Sequence, residues 1–409
     1  MRAPPYSSDP AELFAADTIE DPYPLFERLR NERPLSRVAE TGVHIVASWD
    51  LIEAALARER DFSANVTGML VLGEDGVPST VDFSRAAATQ VIATADEPHH
   101  AVHRSVAQPR LAAALIRELE EPVREWAVEA VDAWHTAGGG DFMSVAEVVP
   151  ARAVAHILGL PDGDVSRYRQ WAMMGGDMLA GAVTPERIAA FAAEGARMNE
   201  YLDDHLARAG AAKAPAEPLL RALSWAVDED RIDARHAVGI AIVMFGAGGE
   251  STAALIGSVV HRLAAEPPLA DRLRADATLV PRFVEEVARL EPPFKFHYRA
   301  VRRDCELGGF SLAPGDRLML LWASANRDTA HIDAADELQL DRRHPKQHLG
   351  FGRGAHFCIG APLARLEARV VCEELLARTE RISLVRGAAP VWAPSIFVRR
   401  LEHLPLAAG

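Results

Sequence analysis

A mainly α-helical chain with small β-hairpins is the fold class that this 409-residue sequence predicts. Three observations carry the prediction. Apolar residues recur at helical spacing over long stretches. Strand-like runs are short and gather around turns. No strand–helix–strand alternation supports a parallel dinucleotide-binding sheet.

In chain order, Leu35–Val38 and Val43–Ala47 flank the turn Glu40-Thr41-Gly42 and predict a first hairpin. Helices follow at Leu51–Arg60, Pro109–Thr136, Thr184–Leu206 and Arg235–Ala265. The next, Leu279–Glu291, carries its apolar stripe on Val280, Phe283, Val284, Val287 and Leu290. Phe310–Leu312 and Arg317–Trp322 are strands on either side of the turn Ala313-Pro314-Gly315-Asp316. Ala361–Arg378 is the last helix. The Ala-rich stretch Ala209 to Pro218 reads as a loop between helices. No repeat or linker divides the chain, so residues 1–409 read as one domain.

Hydrophobic residues make up 49% of the chain, enough for a large core. The net charge of −14 argues against nucleic-acid binding. Met1 to Phe26 is polar and acidic, with no apolar segment of membrane-crossing length, so no membrane partner is expected. Three cysteines, Cys305, Cys358 and Cys372, without a Cys-x-x-Cys pair fit a reducing cytoplasm better than a disulfide framework or zinc site.

Cys358 is the most informative residue. It lies in Phe351-Gly352-Arg353-Gly354-Ala355-His356-Phe357-Cys358-Ile359-Gly360, just before a helix. Such a loop suits the presentation of a thiolate to a heme iron. Glycine tolerates positive φ and lets the backbone pass close under a flat macrocycle. Loop amides and the helix N-terminus place positive partial charge near the sulfur and favour the thiolate. A thiolate ligand pushes electron density onto iron and favours O–O cleavage. The bland alternative, a small buried hydrophobe, does not account for the spacing Phe-x-x-Gly-x-x-x-Cys-x-Gly.

The helix Arg235–Ala265 holds Gly239, Gly246, Gly248, Gly249 and Gly257. Each glycine costs a helix about 1 kcal/mol relative to alanine. The helix is therefore expected to kink near Gly246–Gly249, or to admit something close to its backbone. Glu250, Ser251 and Thr252 follow directly. An acid beside two hydroxyls can hold water and relay protons, and these three are the candidate catalytic residues. The plainer reading is tight helix packing with hydroxyls bonded back to carbonyls. Val243, Ala247 and Ser251 are spaced to share one face. On Leu279–Glu291, Glu286 and Arg289 are three apart on one face, as in many surface ion pairs of little energetic value.

Taken together, these segments resemble the cytochrome P450 family, in its soluble bacterial form. The cysteine loop is similar to the family's heme-binding loop and continues into Ala361-Pro362-Leu363-Ala364-Arg365. Ala247, Gly248 and Glu250 match the family's central-helix motif Ala/Gly-Gly-x-Asp/Glu-Thr. Ser251 stands where threonine is usual, which keeps the hydroxyl and loosens its rotamer. Glu286 and Arg289 look like the Glu-x-x-Arg signature, which implies a structural lock completed by Arg343. Asp96-Glu97-Pro98-His99-His100 through Arg104 resembles Asp-x-Pro-x-His-x-x-x-Arg. The resemblance implies that His100, Arg104, Arg299 and His356 meet the heme propionates through charge-assisted bonds. Asp21–Leu25 and Ala325–Asp328 extend the likeness to nearly the whole chain, and it implies a single triangular α-rich domain.

The resemblance implies heme b with Cys358 as the axial iron ligand. It also implies electrons from NAD(P)H through a ferredoxin reductase and a ferredoxin. The reaction would be a monooxygenation, such as hydroxylation or epoxidation of a small organic substrate, a natural product of secondary metabolism among the options. The pocket walls would come from the loop Asn65–Phe83 with Met69, Leu70, Val71 and Leu72, from Val243 and Ala247, from Phe294–Arg299, and from Pro394–Phe397. Alternation by two would put Lys295 and His297 on the face of Arg299, where Lys295 could select an anionic substrate. Ile396 and Phe397 would close the pocket. Arg342, Arg343, Lys346 and Arg353 against Asp341 form a basic segment suited to docking an acidic ferredoxin on the cysteine side. A monomer is expected. Oxidative coupling of aromatic rings and peroxide-driven oxidation are alternatives on the same fold, and Glu250 with Ser251 argues against the second. A non-catalytic heme-binding or gas-sensing protein is the alternative from another class.

Overall fold

The computed structural model describes residues 10–38, 40–73, 75–82, 90–181, 184–210 and 218–409. The longest apolar pattern forms the centre. Ala234–Met244, a π-helical turn Phe245–Glu250, and Ser251–Ala265 run on as one helix. Asp233 caps its start by accepting from His236 N–H at 2.8 Å. Pro267 and Pro268 open the next helix just beyond its end. By length and composition this run could cross a membrane, but more than half of its most apolar window is buried inside the protein. Met143–Leu158, Val165–Met178, Val280–Leu290 and Ala361–Arg378 pack around it.

A five-stranded sheet lies to one side, in the order Leu35–Val38, Val43–Val46, Arg317–Leu320, His297–Val301, Phe62–Ser63. Val43–Val46 pairs antiparallel with Leu35–Val38 and parallel with Arg317–Leu320. Leu320 stands opposite His297 in the next antiparallel pair, so the chain enters one strand and leaves the other beside the cavity described below.

Several boundaries differ from expectation. Pro109–Thr136 is not one helix but a 3₁₀ turn at Gln108–Leu111 and helices at Ala113–Glu118 and Glu120–Thr136. Ala112 is extended, at φ −62° and ψ 141°. Pro122 sits in the first turn of the third piece, where its missing N–H costs nothing. Leu51–Arg60 begins earlier and ends sooner, as Trp49–Leu56. Phe310–Leu312 and Arg317–Leu320 do not pair with each other. The first pairs with Cys305–Leu307 across Gly308 and Gly309, both at positive φ, and the second joins the large sheet. The loop Asn65–Phe83 contains a hairpin, Gly68–Leu72 with Pro78–Asp82, and Phe83 lies outside the described residues. So does most of the loop Ala209 to Pro218.

The helix Val280–Leu290 carries two adjacent buried acids. Glu286 receives Arg289 Nε and one of its terminal nitrogens, each at 2.9 Å, and both side chains are fully buried. Arg289 also donates to the carbonyls of Asn326, Ala335 and Glu337. The third member of the lock is Arg342, whose Nε lies 2.8 Å from Glu286, and not Arg343. Gln339 N–H binds the same carboxylate at 3.0 Å, and this fixes the chain so that Arg342 turns inward and Arg343 outward. Its neighbour Glu285 holds His348 at 2.7 Å and Arg365 at 2.7 and 2.6 Å. Burial raises the Glu285 carboxyl, but the bonds from Arg365 and His348 outweigh it and bring it down to about 2.

Arg342→Ala leaves part of a buried carboxylate without its cation and should lower stability by about 2 kcal/mol or more. Arg343→Ala should stay within about 0.5 kcal/mol of the parent, as for other exposed positions. Urea unfolding of the two variants compares them directly, and equal losses would restore Arg343 to the lock.

Candidate active site

The two best-supported motifs face each other across one cavity. The loop Gly350–Gly360, with Cys358, forms one wall, and Val243, Ala247, Gly248, Ser251 and Thr252 form the opposite one. Phe294, His297, Arg299 and His356 close a side. Gly352 and Gly354 take φ of 68° and 76°, which lets the loop turn under Cys358, and Cys358 N–H returns to Phe351 carbonyl at 2.9 Å. Burial raises the Cys358 thiol above its ordinary value. The amides of Gly360 and Ala361, with Arg365 and Arg104, pull it down by less. The loop amides thus act in the expected direction without prevailing over burial.

The four expected propionate donors divide. Arg104 donates to the carbonyls of Ala355 and Phe357 at 2.8 and 2.9 Å, so it braces the cysteine loop. His100 lies against His356 with ring centroids 4.0 Å apart, shares its Nδ1 with Glu97 at 2.9 Å, and leaves Nε2 buried without a partner among the described residues. Arg299 and His356 border both this cavity and a second chamber that His100 also lines. Burial lowers Arg299 to about 10 and His356 to about 3, and the neighbouring His100 and Arg299 push His356 further down. An orphaned imidazole nitrogen beside a buried guanidinium is a donor set short of anions. The carboxylates of a heme would supply them, and Cys358 offers the axial sulfur, so the residues present fit that cofactor.

On the other wall, the π-helical turn realises the expected irregularity. The glycines there also serve packing: a Cβ on Gly249 would come within 2.5 Å of Ala172, and one on Gly248 within 2.9 Å of Val154. Ser251 Oγ donates to the Ala247 carbonyl, and buried Thr252 borders the same cavity. Glu250 accepts from Gly176 N–H at 2.7 Å and from Arg400 Nε at 3.1 Å, and Arg400 also reaches Asp177 at 3.1 Å. A Cβ on Gly176 would collide with this carboxylate. Burial raises Glu250 to about 8 in spite of Arg400.

Among the substrate-wall residues, Val243, Ala247 and His297 border the cavity, and Lys295, Ile396 and Phe397 do not. Lys295 is buried behind it, with Nζ 2.6 Å from the Ser395 carbonyl and its N–H on Phe397 carbonyl at 2.8 Å. Regular strand begins only at His297, so alternation by two does not extend back to Lys295. Ile396 packs beside Lys295, and Phe397 stacks on Phe294 at 4.8 Å and acts on the wall through it. Leu70 joins the same cluster as Phe296 and Phe397 instead of lining the cavity. Arg400, Gly176, His348 and Glu285 carried no signal in the sequence, since each matters only through a partner distant in the chain.

A cysteine sulfur that shares one cavity with the hydroxyls of Ser251 and Thr252, while Glu250 turns to Gly176 and Arg400, fits the class of thiolate-ligated heme oxidoreductases. Comparison with known proteins agrees. A family model described as Cytochrome P450 matches residues 218–381. Cytochrome P450 144 of Mycobacterium tuberculosis is 39% identical over 98% of this chain and 92% of its own. Cytochrome P450 monooxygenase PikC of Streptomyces venezuelae is 32% identical over 95% of this chain and 92% of its own. The crystal structure of CYP108D1 from Novosphingobium aromaticivorans superposes with a TM-score of 0.84 at 27% identity, covering 99% of each chain. The chain belongs to the cytochrome P450 family and is an oxidoreductase with the P450 fold.

Burial lowers Lys295 to about 7, with nearby Arg399 adding to the effect and Glu291 opposing it. The unfolded lysine holds its proton to about pH 10.4. Between these values the unfolded chain binds more protons, so stability should rise with pH. Lys295→Met should be more stable than the parent at pH 7, with the gap closing toward pH 10. Chemical unfolding across this range checks it, and a constant gap would show that Lys295 keeps an ordinary pKa.

Proposed function

We propose that the protein is a heme-thiolate monooxygenase that takes electrons from a ferredoxin and oxidises a small organic substrate. Cys358 and Ser251, which border one cavity, carry this reading, with Glu250 next to Ser251 in the chain and its carboxylate turned to Gly176 and Arg400. Cys358 would hold the iron of heme b, and His100, Arg299 and His356 would take its carboxylates. The bound heme would supply dioxygen activation and the oxidising power for the substrate. Ser251 would position water at the cavity face of the π-helical turn, with Glu250 as the neighbouring acid. With Glu250 raised to about 8, the carboxyl keeps its proton near neutrality and has one to give. The basic segment offers less free charge than its sequence suggests. Arg342 is committed to Glu286, and Arg353 pairs with Glu53 at 2.6 Å, which leaves exposed Arg343 and Lys346 for a ferredoxin. An anionic substrate loses its support with Lys295 outside the cavity. The cytoplasm is the compartment that three free cysteines favour.

The reduced, carbon-monoxide-bound protein should show the red-shifted Soret band of a cysteine-ligated heme. Cys358→His should abolish that band, and Cys305→Ser and Cys372→Ser should keep it. An unchanged spectrum in Cys358→His would remove the assignment.

Ser251→Ala should go on consuming oxygen but release most of it as hydrogen peroxide, with product falling about tenfold or more, as for loss of a general acid–base relay. Thr252→Ala should stay coupled. Peroxide and product yields with a turned-over surrogate measure both, and the reverse pattern would move the relay to Thr252.

Electron transfer from a ferredoxin should slow as salt rises, and Lys346→Glu should weaken it at low salt. Stopped-flow reduction tests this, and a salt-independent rate would place docking elsewhere.

A further inference from the structure

His297 and Trp322 form a contact that the proposed function does not use. Trp322 Nε1 lies 2.7 Å from His297 Nδ1. An indole nitrogen can only donate, so Nδ1 must be the accepting, unprotonated nitrogen. The proton of a neutral imidazole then belongs to Nε2. No described residue takes a hydrogen bond from that Nε2, and His297 borders the main cavity. The fold places the pair reliably. His297 opens its strand opposite Leu320, and Trp322, two residues further on, begins the short helix Trp322–Ala325. Trp322 is buried in the cluster with Leu318 and Leu320 and so cannot swing away. Phe294 and Phe397 meet the imidazole edge-on at 5.4 and 5.6 Å and fix its plane.

We propose that Trp322 locks His297 in its Nε2–H form, making His297 a permanent neutral donor to an oxygen acceptor inside the cavity. The acceptor is a carboxylate or carbonyl oxygen, supplied either by a heme propionate or by the substrate. The surroundings keep the ring neutral. Burial lowers His297 to about 3, and the neighbouring Arg299 and His356 lower it further. His297 is therefore a donor and not a base, and Trp322 is a positioning residue that acts through it. This inference rests on the proposed function only in taking heme as the cavity's cofactor. The carbon-monoxide spectrum tests that reading on its own.

The test uses heme-loaded protein labelled with ¹⁵N-histidine, in its diamagnetic reduced, carbon-monoxide-bound form. Long-range ¹H–¹⁵N spectra at pH 7, with His297→Leu to assign the signal, should show an Nε2–H tautomer for His297. Trp322→Phe should convert it to a mixture. Two further measurements locate the acceptor. If it is a heme propionate, His297→Leu should lose heme to apomyoglobin about tenfold faster, the worth of one charge-assisted bond, with His297→Asn restoring much of the retention. If it is a substrate oxygen, heme loss should not change. Instead the preference for phenyl cyclohexyl ketone over benzylcyclohexane in spin-state titrations should fall about fivefold in His297→Leu. Either result supports the donor. An Nδ1–H or doubly protonated ring in the parent protein overturns the proposal. So does a tautomer unaffected by Trp322→Phe, or the absence of both functional effects.

Discussion

Two adjacent glutamates on one helix are the constraint on which the rest of the structure depends. Glu286 ties the helix to the chain around Asn326–Gln339 through Arg289 and Arg342. Glu285 ties the same helix to the cysteine loop through His348, and to the helix after Cys358 through Arg365. Neighbouring helix positions point about 100° apart, so one turn addresses two partners. Removing these charges from water is expensive unless every lone pair and proton finds a partner, and here the partners are nearly all supplied. Such networks fix a geometry more than they add stability. The geometry fixed here is the position of Cys358 relative to the central helix.

The same logic of burial against partners sorts the other interior acids. Glu285, with three short bonds from two basic side chains, is held down near 2. Glu250, with one guanidinium and one amide against deep burial and a nearby Asp177, rises to about 8. Glu367 lies in the core with neither carboxylate oxygen bonded among the described residues, and burial drives it well above the usual carboxylate range. One residue type thus spans a fixed anion, a group that can exchange its proton, and a neutral acid. Only the middle case lies on the π-helical turn beside the cavity, and its carboxylate turns to Gly176 and Arg400.

How much of this was legible in the sequence depended on whether the controlling contact was local. The cysteine loop, the glycines before Glu250 and the pair Glu286–Arg289 are contacts within one turn or loop, and spacing revealed them. The lock's third arginine was misplaced by one residue, because the choice between Arg342 and Arg343 is made by Gln339 N–H, a long-range backbone bond. A strand period puts Lys295 in the cavity only if it runs through Phe294–Phe296, where no regular strand exists. The long helix at Pro109–Thr136 was read through Ala112 and Pro122, although an extended residue and a first-turn proline both mark a restart. The helices Met143–Leu158 and Val165–Met178 leave little trace in the sequence. The first is apolar on nearly all sides and carries Pro150 in its interior, so periodicity gave little contrast.

The cavity's edge shows why polar residues there are arranged in pairs. His100 with Glu97, His297 with Trp322, and Arg104 with the loop carbonyls each have one side of their bonding capacity used by protein. What remains points to a space that protein does not fill. A side chain bonded at one end has fewer rotamers to lose when its other end meets a ligand, so binding costs less ordering entropy. It also keeps its protonation form before the ligand arrives, because the bonded nitrogen fixes which nitrogen carries hydrogen. His297 and Arg104 are therefore held in place by the fold before an acceptor arrives. The apolar face of Val243 and Ala247 makes no such demand and leaves the choice of substrate to shape.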